Sequence, residues 1–463
     1  MHAATRIAML CAMSFLWAGT CFGQATGLVS AQIPAAAPGY ADRAPIAVSS
    51  VAGGYAPNAL TFDAATGELI SGGFGNASIT ANVHTAGLLG NDDQFKVDDR
   101  RANQSTIDGL NTLATFSRAF TAQGGPSARQ DFRFTMIGND PLLGSTTEYP
   151  ANLAEVSLQL LNADGSVFKT VAFDPFEKLT LESPNFEPLD YRSGHNIEYA
   201  DAVHRAEFYN GMKANWHTLL IPSVVNKVTV QVPYQVNVRL SDGSVVAARA
   251  YFSGTAADGN TYVLMLSPLF NVLFSNEVIN EINLGNFTTN GLNATLFPNT
   301  FLYNLNTANP NVPGGCCVLG FHTYFLDGAF PESRWVTEYA SWISPGLFGA
   351  GFQDVTAVSH ETTEAVADPF VNNPTPVWQF PGVAPTAKVC QGNLEEGDPV
   401  EVLANATVPI EVKEGKKFDF IYHPQTEALY QWFEMGATSN AIDGAFSFPD
   451  ETALPHSALP CPQ

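Results

Sequence analysis

The sequence predicts an α+β fold in two parts. A β-rich, sandwich-like N-terminal domain spans residues 57–255, and a second domain with a metal-site helix spans 256–463. Three observations lead there. Short alternating apolar runs separated by turn signals fill the first part. Longer apolar runs of strand type open the second. The stretch from Asp354 to Pro369 then places His360, Glu361 and Glu364 on a helical repeat.

From the start, residues 1–23 carry Arg6, an apolar run from Ile7 to Ala18 and a small-x-small end, which predicts a secretory signal peptide too short to anchor in a bilayer. Residues 24–56 are rich in Ala, Pro and Gly and read as a linker or short propeptide. The mature chain is therefore expected outside the cytoplasm, extracellular or periplasmic, with no membrane insertion once the signal is cleaved.

Composition agrees. Forty-four acids against 21 bases give a net charge of −23, and loss of Arg6 with the signal makes it −24. Such a surface repels nucleic acid and anionic lipid and attracts cations. With 14% charged residues and 32 Phe, the chain has ample core for a globular protein. Cys11 and Cys21 leave with the signal, so Cys316, Cys317, Cys390 and Cys461 predict two disulfides. A bridge between adjacent cysteines is disfavoured, so one of Cys316 and Cys317 is expected to pair with Cys390 and the other with Cys461.

Within 57–255, Val156–Leu161 and Val167–Val171 flank Asn-Ala-Asp-Gly, and two further runs flank Ser-Asp-Gly243. Asp-Gly between alternating apolar runs is a strong hairpin signal. One helix is predicted near Ile197–Met212. From Thr261 onward, strands are predicted at Tyr262–Leu266, Phe321–Phe325 and Val336–Ile343, with a helix around Asn276–Ile282. His322, in a strand among aromatics, reads as a hydrogen-bonded core residue rather than a ligand. His84 has no companions and reads as surface, while His423 gains some interest from Glu427 at i+4.

The helix from Asp354 as N-cap to Ala367 follows from Val355, Val358, Ala365 and Val366, and Pro369 ends it. His360 and Glu364 fall one turn apart on one face, where two ligands can hold one ion. Glu361 sits beside them, placed to act as general base on metal-bound water. H-E-x-x-H zinc proteases use this spacing, and here Glu replaces the second His. A carboxylate still suits zinc, as well as harder ions such as calcium. It makes the ligand set more anionic and so less strongly Lewis-acidic.

About thirty residues on comes the acidic turn Leu394-Glu395-Glu396-Gly397-Asp398-Pro399. The composite of Ser-His-Glu-x-x-Glu-Ala-x-x-Asp-Pro, Trp378 and Glu-x-Gly-Asp resembles a zincin-like group of secreted bacterial proteins regarded as metallopeptidases. In part it is similar to the plant phosphate-induced, exordium-like proteins. The resemblance covers roughly Gly315–Pro399 and continues into Tyr422–Phe433. It implies a zincin-like C-terminal domain in which strands overlie the metal helix, with Glu395 and Asp398 in the places of that group's acidic pair. The expected function is then a secreted zinc metallopeptidase acting on extracellular protein or peptide. His360, Glu364, Glu395 and Asp398 would surround zinc, and Glu361 would be catalytic. The alternative is a non-catalytic extracellular or cell-wall-associated protein whose acidic cluster holds structural calcium or zinc. A serine hydrolase is not indicated, because G-x-S-x-G is absent.

Overall fold

In the structure, a computed structural model, residues 60–64, 69–71, 86–91, 113–191, 196–327, 334–349, 351–382, 390–414 and 418–462 are described. The expected signal peptide, the 24–56 linker and His84 lie outside them. No helix among the described residues is long and apolar enough to cross a membrane.

The central sheet is built on β1 (Ala86–Asn91), β2 (Thr146–Leu161), β3 (His217–Val232), β4 (Leu292–Pro298), β5 (Gly320–Asp327) and β6 (Arg334–Phe348). Across the sheet they run β3-β2-β4-β6-β5-β1. Pairing is parallel from β3 through β2 and β4 to β6, then antiparallel through β5 to β1. Parallel neighbours cannot be joined by a tight hairpin and need crossovers. Helix α1 (Tyr199–Glu207) lies in the crossover from β2 to β3, and α2 (Ser267–Leu284) in that from β3 to β4. Helix α3 (Thr356–Ala367) follows β6.

Side-chain alternation divides the two faces. Phe321 and Phe325 of β5 and Tyr339 of β6 face α2, with Phe270 4.4 Å from Tyr339 and Phe274 5.1 Å from Phe321 between ring centroids. The other parity puts Tyr324, Val336 and Ala340 against Val355, Val358, Ala365 and Val366 of α3. His322 and Glu338 are direct partners across β5 and β6, and both reach α3 through hydrogen bonds. Two polar residues are thus carried under the helix by the same alternation that builds the core.

The expected α+β, zincin-like architecture is overturned. Among the described residues 44% are strand and 17% helix, in five helices, so the fold is β-rich with little helix. The strands assigned by sequence to a separate sandwich do not close on themselves: β2 pairs with β4, joining residues 151–155 to 292–296. The reason is burial. Ala151, Leu153 and Ala154 are buried with β4 lying beside them.

The disulfides also differ from expectation. Cys316 bonds its neighbour Cys317, and Cys390 bonds Cys461 with Cα atoms 5.9 Å apart. Chain direction selects the second pair. Cys461 N–H donates to the Val377 carbonyl at 3.0 Å, and Cys390 pairs with Gln379 in the same small sheet, so tail and strand already lie together.

Candidate metal centre

Helix α3 forms where its apolar spacing predicts, but Asp354 does not cap it. Asp354 lies just before the helix at φ 48°, and its carboxylate accepts from Val355 N–H at 2.7 Å and from His423 N–H and Nδ1 at 2.8 and 2.7 Å. His423 is therefore a latch at the helix start, and its interest as a ligand ends there. At the far end Asp368 N–H bonds the Glu364 carbonyl at 2.6 Å before Pro369 stops the helix.

The i,i+4 spacing does what the sequence predicts. His360 Nε2 stands 3.0 Å from Glu364 Oε2. Asp398 Oδ1 comes to 3.8 Å of the same nitrogen and Glu361 Oε1 to 4.0 Å. One atom each from His360, Glu364 and Asp398 lies within 4.8 Å of the others, a spacing that a single ion can span. Glu364 is fixed from behind by Gly397 N–H, which donates to its Oε1 at 2.8 Å. Gln391 donates to Asp398 Oδ2, so the disulfide-linked strand helps to aim that carboxylate.

Glu395 is not brought into this group. It is fully buried, and its neighbour Glu396 instead meets His204 and Glu207. Conversely, His322 joins the site. Its Nε2 lies 3.1 Å from the Asp368 carbonyl, which can only accept, so Nε2 donates and Nδ1 is the nitrogen turned to the acids. That Nδ1 faces Glu364 Oε2 at 3.5 Å and Glu361 Oε2 at 3.8 Å. Glu401 adds a carboxylate 4.0 Å from His360 Nδ1. Sequence reasoning read His322 as a core residue and passed over Glu401. The strand parity of Phe321 and Phe325 was the one available signal for His322, since it sends His322 to the opposite face.

Two glycines are required by contact. A Cβ on Gly397 would stand 2.5 Å from His360 Nδ1, and one on Gly320 would stand 2.6 Å from Glu361 Oε1. Backbone packs directly on both functional side chains.

The electrostatics are those of crowded, buried carboxylates. Burial alone would lower the His360 pKa, but Glu364 and Glu361 outweigh it and hold the ring well above the ordinary value. For Glu364 burial works upward, yet His360 and His322 hold it well below the usual carboxylate range. Burial raises Glu361, and burial reinforced by Glu361 pushes Glu338 up to about 8. Glu401 is likewise pushed up to about 8, chiefly by burial.

No protein-family model, curated protein or solved structure matches this chain.

The donor set fits a divalent ion. Glu361 Oε2 is buried without a hydrogen-bond partner, and imidazole nitrogen with two or three carboxylates is a mixture that zinc accepts. Calcium takes six to eight oxygens, which makes an imidazole at the centre a poor choice for it.

Proposed function

We propose that the chain is a secreted metal-dependent hydrolase, a zinc metallopeptidase acting on extracellular protein or peptide. Its ion would be held by His360, Glu364 and Asp398. The observation that carries this reading is the approach of the Glu364, Asp398 and Glu361 carboxylates to one nitrogen, His360 Nε2, within 3.0–4.0 Å. A bound zinc supplies Lewis acidity and lowers the pKa of water in its reach. The chain supplies the base. Glu361 precedes the turn that carries Glu364, leans on Gly320, and has its pKa raised by burial, which makes it a stronger base than a free carboxylate. Asp398 and Glu401, each with a side chain 18% exposed, are the least buried acids of the group, and substrate would approach from their side.

A second reading is an ion that holds structure only. Its support is the contact of His322 Nδ1 with both Glu361 and Glu364, which can make Glu361 a ligand. Glu361→Gln separates the two. As a base, Glu361 is dispensable for binding, so the variant keeps its zinc and loses cleavage of an unstructured protein. His360→Ala loses the zinc itself. If Glu361→Gln released the ion as readily as His360→Ala, the structural reading would replace the catalytic one. Metal content unchanged in both would remove the site altogether.

A further inference from the structure

A second cluster lies beside the first and takes no part in it. His204 and Glu207 are three residues apart on α1, hence on one face of that helix. Glu396 reaches them from the acidic turn. His204 Nε2 is 3.9 Å from Glu396 Oε2, and one ligand atom from each of the three residues lies within 4.8 Å of the others.

Several features distinguish this cluster from a patch of surface acids. His204 is 2% exposed, Glu207 1% and Glu396 0%. Glu207 Oε1 is satisfied by Tyr430 N–H at 2.7 Å, but its Oε2 accepts nothing. His204 Nε2 and both oxygens of Glu396 also lack hydrogen-bond partners. Buried polar atoms are nearly always satisfied, and several orphans of ligand type in one place call for a common partner. A dication offsets two carboxylates and leaves the site neutral, which is the state that burial favours.

We propose that His204, Glu207 and Glu396 bind a second divalent transition-metal ion. One imidazole and two carboxylates suit zinc or manganese better than calcium. A cavity of about 260 Å³, lined by Arg118, Glu207, Phe208, Tyr430 and Gln431, adjoins Glu207. Glu396 is joined through Gly397 to Asp398, and Gly397 N–H holds Glu364. The second ion therefore braces the turn that delivers Asp398 to the first site, and it does not require that the first site be catalytic.

The test is metal stoichiometry of the full chain, stripped with chelator and reloaded with zinc. Two zinc ions per chain are expected in the parent, one in His204→Gln and Glu396→Gln, one in His360→Ala, and none in His204→Gln combined with His360→Ala. A single zinc that survives in Glu396→Gln and is lost in His360→Ala overturns the second site and leaves the first intact. A single zinc that behaves in the opposite way upholds the second site and removes the first. Titration of the stripped chain with cobalt(II) gives an independent count. Visible absorption that saturates at two equivalents in the parent supports the proposal, and saturation at one that is unchanged in Glu396→Gln and abolished in His360→Ala overturns it.

Discussion

Nδ1 of His360 donates to Oε1 of Gln425 over 3.1 Å, and this contact decides which nitrogen of the histidine faces the carboxylates. The direction follows from the other end of the amide. Gln425 Nε2 donates to the Gly397 carbonyl at 2.6 Å, so Oε1 is left as acceptor and the ring hydrogen must sit on Nδ1. Nε2 then faces the carboxylates and becomes a ligand once an ion displaces the proton that Glu364 and Glu361 hold on it. Metal-binding histidines are commonly oriented in this way by a hydrogen bond at the second nitrogen. Gln425 is itself held by Ser359, whose Oγ accepts its N–H at 2.8 Å, and by Tyr199, which donates to its carbonyl.

Gln425→Leu should therefore weaken zinc binding by about 10–100-fold, the usual loss on removing such a partner. Competition with a chromophoric chelator measures it. An unchanged affinity would mean that Glu364 alone aligns the ring.

Gly397→Ala should be more severe. The added Cβ would overlap the His360 ring, with Nδ1 at 2.5 Å and Cε1 at 2.6 Å. Either the ring leaves Glu364 or the turn retreats with Asp398, and each route costs the site a ligand. Loss of bound zinc with retained circular dichroism is the expected result.

Stability should depend on pH through a carboxyl that belongs to neither metal cluster. Glu198 is buried, accepts from Leu220 N–H at 2.6 Å, and has its pKa pushed up to about 8, mainly by burial. The folded state keeps this proton while the unfolded chain gives it up near the ordinary value of 4.5. The contribution is thus fully present below the unfolded pKa and is lost as pH rises toward 8, at up to roughly 1.4 kcal/mol per unit. Glu198→Gln keeps an acceptor and cannot ionise. Its melting temperature should fall less than that of the parent between pH 5 and 8, and parallel curves would show that Glu198 is not the titrating group.

Non-reducing peptide mapping should recover Cys390 and Cys461 in one linked pair and Cys316 with Cys317 within a single peptide. Cross-linked pairs joining Cys316 or Cys317 to Cys390 or Cys461 would contradict the structure. Cys461→Ser should cost about 2–5 kcal/mol, since the bridge ties the tail to the strand that leads into the acidic turn.

The sequence by itself determined what depends on neighbours along the chain. The period of Val355, Val358, Ala365 and Val366 set a helix over Thr356–Ala367 and put His360 and Glu364 on one face, because helical geometry needs no other partner to bring i and i+4 together. The Asp-Gly turns fixed hairpins for the same short-range reason, as between Leu161 and Val167 and between Arg239 and Val245. Only the tertiary structure decided which distant surfaces meet. His322 became a neighbour of Glu364 because β5 presents that parity to α3. Glu396 rather than Glu395 found His204 because the turn enters between α1 and α3. β2 joined β4 rather than a sandwich partner because burial of Ala151 and Leu153 rewards whichever strand covers them. Periodicity states that a face must be buried, and it is silent about what buries it.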